Sequence, residues 1–208
     1  MPDIENILET QAYSQHWTSQ FFTEYHQPLG GWQQGEELNC SLEVSRELHH
    51  LTFLDCLTQI AKRRCFDAYL EQEWQRMAQE QAPLSVILCA LDFFNVYNDT
   101  YGHQASDRGL QKVARMILKA ARHPANLVAR YSFEKFIVIL PQTKAEGAVR
   151  VAEEIRRGVK ALQIPINPPA CQYLTMSVGV ANIIPNQDYS STMLITAAEQ
   201  ALYQAREQ

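Results

Sequence analysis

The residues able to do chemistry stand in polar breaks between apolar runs. One break, Ser132–Phe133–Glu134–Lys135, is held between Leu127–Val128–Ala129 and Phe136–Ile137–Val138–Ile139–Leu140. Glu134 offers a carboxylate, which can pair with a cation. Lys135 sets an ammonium beside it, which can pair with the carboxylate and opposes a divalent cation. The plain alternative is a surface lysine on a turn, of small energetic consequence. A second break, in the stretch from Asp92 to Leu110, carries Asn98 and Asp107, residue types that cap turns and helices well. Five cysteines (Cys40, Cys56, Cys65, Cys89 and Cys171) make an odd count without paired metal spacing and read as reduced, mostly buried thiols.

The first break needs a rigid holder. Short β-branched and aromatic runs around four polar residues predict a β-hairpin, its second strand apolar enough to lie deep in a sheet covered on both faces. Ser85 to Leu91 reads as another central strand. The stretch from Asp92 reads as a loop feeding a helix whose apolar face is Leu110, Val113, Ile117 and Leu118. Periodicity predicts further helices over Phe66–Met77, Thr143–Leu162 and Met193–Arg206, with a strand over Tyr173–Val180. Pro165, Pro168 and Pro169 separate the second of these helices from that strand. Upstream, Ser41 can cap a helix through Leu42, Val44, Leu48, Leu51 and Leu54. Residues 1 to about 28 carry an aromatic-rich amphipathic pattern that ends at Pro28 and Gly30–Gly31. The organisation expected is an N-terminal helical extension and loop over 1–41, then one domain over 42–208. Its fold class is α/β, a central mostly antiparallel sheet covered by helices.

A chain of 208 residues with net charge −5 and no long Lys/Arg run is a poor candidate for nucleic-acid binding. No apolar stretch approaches the ~18 residues of a membrane span, and MPDIENILET is not a signal peptide. A cytoplasmic protein is expected, with no nucleic-acid or membrane partner.

The hairpin resembles the signature hairpin of the GGDEF family, the diguanylate cyclases, in which Arg-Tyr is followed by Gly-Gly-Asp/Glu-Glu-Phe and a strand ending in Pro. Arg130, Tyr131, Phe136 and Pro141 stand in register, while the turn reads SFEKF. Asp55, Leu57, Thr58, Arg63 and Arg64 match the family's domain entry. Asn98-Asp99-x-x-Gly102-His103, Thr175-x-Ser177-x-Gly179-Val180-Ala181 and Ala201-Leu202-Tyr203-x-Ala205 reinforce the resemblance, which spans roughly 42 to 208 and implies a nucleotidyl-cyclase-like sheet.

In that family two GTP molecules on facing domains are joined into cyclic di-GMP, with divalent metals neutralising phosphate charge. The resemblance implies two carboxylate ligands. Ala90 stands in place of the first, only the second Asp of that motif surviving as Asp92, and Glu134 fills the other position. Lys135 replaces the family's second acid, Ser132 and Phe133 replace its Gly pair, and a bulky residue at positive φ is a rare outlier. Phe133 is therefore expected to reshape the turn. It is either buried core or, the reading preferred here, an exposed contact. Asn98 and Asp107 match the residues that read guanine, although Ser106 replaces a Gly beside them, and Arg206 matches a phosphate-binding Lys. The family's second phosphate cation would fall beyond Gln208, and Asn95 replaces a Lys. His123 and Asn126 occupy the positions of the Arg-x-x-Asp inhibitory site, so product feedback at that place is not expected.

These readings converge on a degenerate GGDEF domain, catalytically impaired, that signals by protein contact in or near cyclic-di-GMP signalling. Its partner, or its own second copy, is expected to meet the N-terminal helices or the entry helix, which alternatively pack on the domain as a cap. No cofactor is required on this reading, and Mg2+ and GTP enter only where residual nucleotide binding survives. The alternatives are a weak diguanylate cyclase and a GTP-binding sensor without turnover.

Overall fold

The computed structural model describes residues 53–166 and 173–207. In chain order these form β1 (Ala61–Lys62), α1 (Arg63–Glu80), β2 (Leu84–Leu91), α2 (Phe94–Tyr101), α3 (His103–Ala120), β3 (Leu127–Arg130), β4 (Lys135–Pro141), α4 (Ala145–Ala161), β5 (Met176–Ile183) and α5 (Ser191–Arg206). The five strands make one sheet in the order β1-β3-β4-β2-β5. Only β1 with β3 is parallel, and the other three pairings are antiparallel. The expected α/β architecture is therefore present.

All eight residues of β2 are buried, as a strand covered on both faces requires. Alternation divides them between two cores. Ile87, Cys89 and Leu91 pack with Leu110, Val113 and Ile117 of α3 and Ile155 and Val159 of α4. Val86, Leu88 and Ala90 pack on the other face with Phe66 and Leu70 of α1 and Ala198 and Leu202 of α5. The α1 stripe of Phe66, Tyr69, Leu70, Glu73, Trp74 and Met77 has the three-and-four spacing of a helix face. Its one acid, Glu73, is tied by Arg76 Nη2 at 2.6 Å. Ser190 caps α5, its hydroxyl accepting from Met193 N at 3.3 Å.

The structure corrects two expectations and adds one strand. The stretch after Asp92 is not a loop: Phe94–Tyr101 is a helix of its own, which buries Phe94 and Tyr97 and breaks at Gly102, φ 76°, a conformation that favours glycine. The last strand runs over Met176–Ile183 rather than Tyr173–Val180, Tyr173 making only an isolated bridge to Pro165. The two-residue β1 carries too little pattern to be read from sequence. The expectations for the helices before residue 53, and for Pro168 and Pro169, lie outside the described residues. No helix among the described residues is long and apolar enough to cross a membrane. Cys65 and Cys89 are buried free thiols and Cys56 is exposed. Burial pushes the Cys65 thiol up to about 11.

Candidate functional site

The site lies where β2 ends beside the β3–β4 hairpin. Arg130 pairs with Phe136 across the hairpin, and the turn closes on one carbonyl: Lys135 O accepts from Tyr131 N at 2.9 Å and from Ser132 N at 3.2 Å. Neither Ser132 nor Phe133 has a positive φ, so the turn is closed without the left-handed backbone that a glycine pair permits. Arg130 braces it from outside. Its Nη2 donates to Phe133 O at 3.2 Å, and its Nη1 donates to Asp55 Oδ1 at 3.0 Å and Oδ2 at 3.2 Å. Asp55 Oδ1 also accepts from Thr58 N and Thr58 Oγ1 at 2.9 and 2.6 Å. Asp55, Thr58 and Arg130 thus belong to one brace, a role that their positions in the sequence do not disclose.

Burial raises the Asp55 pKa, but the Thr58 hydrogen bonds and the Arg130 guanidinium outweigh it and hold it below the ordinary 3.8. A depressed folded-state pKa contributes stability above the unfolded pKa and loses it as pH falls through the folded one. Asp55→Asn is expected to cost about 2 kcal/mol at pH 7, with the gap to the unsubstituted protein closing below about pH 4. Urea midpoints across that range measure it, and a gap unchanged at low pH would contradict the assigned brace.

Phe133 meets both halves of its expectation. It is 50% exposed, yet its ring lies 5.5 Å from that of buried Phe94. Phe94 continues to Tyr97, and Tyr97 to Tyr101, at 6.0 and 5.0 Å. Phe93, the residue before α2, is 54% exposed with φ 53°. Two phenyl rings therefore face solvent from segments that flank the end of β2.

Glu134 is anchored twice. Its carbonyl accepts from Leu91 N at 3.1 Å, and its carboxylate Oε1 lies 3.5 Å from Arg206 Nη2, which also donates to Leu91 O at 3.1 Å. Arg206, rather than Lys135, is the cation on Glu134. Ala90 is fully buried and stands directly across from Lys135 on β4 and Ser177 on β5. Asp92 is spent on structure: its Oδ2 accepts from Thr175 Oγ1 and its Oδ1 from Ser177 Oγ, each at 2.7 Å, while its N–H donates to Thr175 O at 3.0 Å. These hydroxyls stitch β5 to the end of β2.

Asn98 and Asp107 lie on consecutive helices, α2 and α3, joined at Gly102. Neither caps a helix start: the residues before α2 and α3 are Phe93 and Gly102, without side-chain capping. The Asn98 Oδ1 is buried and has no hydrogen-bond partner in the described structure, an uncommon state for a polar atom. Asp107 is exposed, and Ser106 is buried with its hydroxyl on Gly102 O at 3.1 Å. His123 and Asn126 make the turn into β3. His123 Nδ1 accepts from Ala125 N at 3.3 Å, its carbonyl accepts from Asn126 N at 2.9 Å, and Asn126 Nδ2 donates to Ala121 O at 3.4 Å.

This geometry agrees with what the chain is similar to. The family model described as "Diguanylate cyclase, GGDEF domain" matches residues 52–208. The chain belongs to the GGDEF family. Diguanylate cyclase A of Treponema denticola is 33% identical over 165 residues, which are 77% of this chain and 43% of that protein. Among solved structures, the coiled coil and GGDEF domain of DgcB from Caulobacter crescentus, in complex with c-di-GMP, superposes with a TM-score of 0.74 at 26% identity, covering 82% of this chain and 89% of that one. The diguanylate cyclase SiaD of Pseudomonas aeruginosa, in complex with its activator SiaC, shares the fold at 24% identity and a TM-score of 0.69, over 98% of this chain and 72% of that one. The chain spans less than half the length of the curated relatives it matches.

A divalent cation does not fit the residues at the GGDEF turn. The methyl of Ala90 ligates nothing, Asp92 has an oxygen committed to each of two hydroxyls, and Glu134 has Arg206 on it. Among the described residues no three His, Cys, Asp or Glu side chains converge to hold a metal.

Proposed function

We propose that this GGDEF domain is catalytically impaired and signals by protein contact in cyclic-di-GMP-type signalling. The observation that carries the reading is the fully buried Ala90 at the end of β2, which leaves Glu134 as the one carboxylate of the pair that the family resemblance implies. Phosphoryl transfer between two triphosphates rests on cations placed against developing phosphate charge. Here the surviving carboxylate of the pair is already met by a guanidinium. The exposed rings of Phe93 and Phe133 support contact with another protein, since clustered exposed aromatics favour interfaces. A cytoplasmic location belongs to the same proposal.

One observation favours a second reading. The buried Asn98 Oδ1 lacks a donor, at a position that in this family reads guanine, and a base N–H would supply one. The domain would then hold GTP without turning it over.

The full chain at high concentration, incubated with GTP and Mg2+ or Mn2+, separates these readings when product is followed by chromatography and bound nucleotide is counted in the same samples. No cyclic di-GMP is expected. Retained GTP that disappears in Asp107→Ala supports the sensor, and no retained nucleotide supports the contact-only protein. Metal-dependent product would sink the impairment and make the protein a weak cyclase.

A further inference from the structure

A cavity of about 160 Å³ lies away from the GGDEF turn, between α3 and the chain that leaves α4. None of Asn98, Asp107 and Glu134 lines it, so it is separate from the positions that the family resemblance implies for nucleotide and metal. Its inner wall is apolar, made by Ala105 on α3 and by Leu162, Ile164 and Pro165 after α4. That wall is fixed from behind. Gln163 takes the left-handed conformation at φ 47° and donates its N–H to Lys160 O at 3.2 Å, while Ile164 O accepts from Leu174 N at 2.8 Å. Pro165 bridges to Tyr173.

The mouth is cationic. Arg108 and Lys112 line it, four residues apart and so neighbours on one face of α3. Both are exposed, neither forms an ion pair with a described residue, and no acid lines the cavity among the described residues. Like charges at this spacing repel each other along a helix, and an anion between them relieves that repulsion. Tyr97 supplies a further donor. A Cβ on Gly109 would stand 3.6 Å from Tyr97 Cε1 and 4.0 Å from its hydroxyl, so the lack of a side chain there leaves that edge of the ring uncovered. The hydroxyl donates to Ala105 O at 3.5 Å, well beyond the usual ~2.8 Å, and is loosely enough held to turn to another acceptor. Burial and Tyr101 raise the Tyr97 pKa, and the Arg108 guanidinium opposes them, which puts the hydroxyl within the field of that cation.

We propose that this cavity binds a small phosphate monoester, its phosphate at the mouth between Arg108 and Lys112 and its carbon body against Leu162 and Ile164. The guanidinium fork, the ammonium and the Tyr97 hydroxyl are all donors, and two cations match the charge of a monoester, which approaches −2 at neutral pH. A carboxylate carries a single charge and leaves one cation unmatched. At about 30 Å³ for each water displaced, the cavity has room for roughly five non-hydrogen atoms, enough for a short carbon body and too little for a nucleoside. Exposed cations alone hold an anion weakly, and the apolar wall adds burial that they do not supply.

Isothermal titration calorimetry of the full chain with propyl phosphate, inorganic phosphate and butyrate, at equal ionic strength, tests this. Propyl phosphate is expected to bind at least about fivefold tighter than inorganic phosphate, since each buried methylene adds to binding, and at least about tenfold tighter than butyrate. Equal affinity for the two phosphates overturns the proposal in favour of a bare anion on surface cations, and equal affinity for butyrate overturns the phosphate class. Arg108/Lys112→Gln is expected to weaken propyl phosphate at least about tenfold. Arg115/Lys119→Gln removes the same charge from the same helix outside the cavity and is expected to change the affinity less than about twofold. Equal losses in the two variants assign binding to the general charge of α3 and overturn the site. Amide shifts on titration are expected at Gly109, Gln163 and Ile164, and shifts confined to the surroundings of Asn98 and Asp107 overturn it in favour of the position implied for the nucleotide. Absence of heat at millimolar propyl phosphate, together with unmoved amides, also overturns it.

Discussion

No cyclic di-GMP is expected from GTP and Mg2+ or Mn2+ when the full chain carries Ala90→Asp, although that change places a carboxylate where the family resemblance implies a metal ligand. The sheet register gives the reason. Ala90 lies directly opposite Lys135, and residues so paired share a face with Cβ atoms about 5 Å apart. A new carboxylate at this fully buried position meets the Lys135 ammonium before it meets a metal. It also adds nothing to free Glu134 from Arg206 or to remove Phe133 from the turn. The pairing has a thermodynamic signature that activity alone does not provide. With Lys135 present, Ala90→Asp is expected to cost about 1–2 kcal/mol. In a Lys135→Met background the carboxylate is buried without a partner, and the cost rises to about 3–5 kcal/mol. Urea denaturation of the four proteins in that cycle measures the difference. Substantial turnover by Ala90→Asp alone, or equal costs in the two backgrounds, would show that Lys135 and the altered turn do not govern this position.

The hairpin and the central strand could be read from sequence because the patterns that define them are local. Seven residues from Lys135 to Pro141 and eight from Leu84 to Leu91 are near-continuous apolar runs, which only a doubly covered strand accommodates. Phe94–Tyr101 escaped because two turns of helix with Asn, Asp and Thr in them carry weak propensity. Its stability comes from burying Phe94 and Tyr97 in a core assembled by distant elements. The site divides in the same way. Ala90, Ser132, Phe133, Glu134 and Lys135 were visible as residue types in a known frame. Partners 70 to 115 residues apart were not. Arg206 reaches Glu134 and Leu91 O, and Asp92 meets Thr175 and Ser177, only once the sheet has closed. Thr175 and Ser177 were present in the quoted motif, and their alternation along one strand face next to an unexplained Asp was the available signal.

That closure depends on Gly179, and Gly179→Ala is expected to be the most destabilising single methyl added to this protein's glycines in the described structure. A Cβ there would stand 2.3 Å from Ala198 O, 2.4 Å from Leu202 N and 2.9 Å from Leu202 Cα, all backbone atoms of α5 that no rotamer change can move. The helix must lift as a body from β5, costing about 3 kcal/mol or more, which for a chain of this size lowers Tm by roughly 6–12 °C. Gly158→Ala is the control. Its Cβ would approach as close as 2.4 Å, but only to atoms of the Met116 side chain. A flexible thioether can turn away, and alanine gains about 1 kcal/mol of helix propensity, so the net change stays within about 1 kcal/mol. Calorimetry of the two variants decides between rigid and yielding contact, and equal Tm losses would refute the distinction. The difference matters for the site because α5 ends in Arg206. Lifting the helix at Ala198–Leu202 draws the guanidinium away from Leu91 O and Glu134 one turn later. A residue that touches none of the site's charged groups thereby sets where the Arg206 guanidinium stands relative to Glu134.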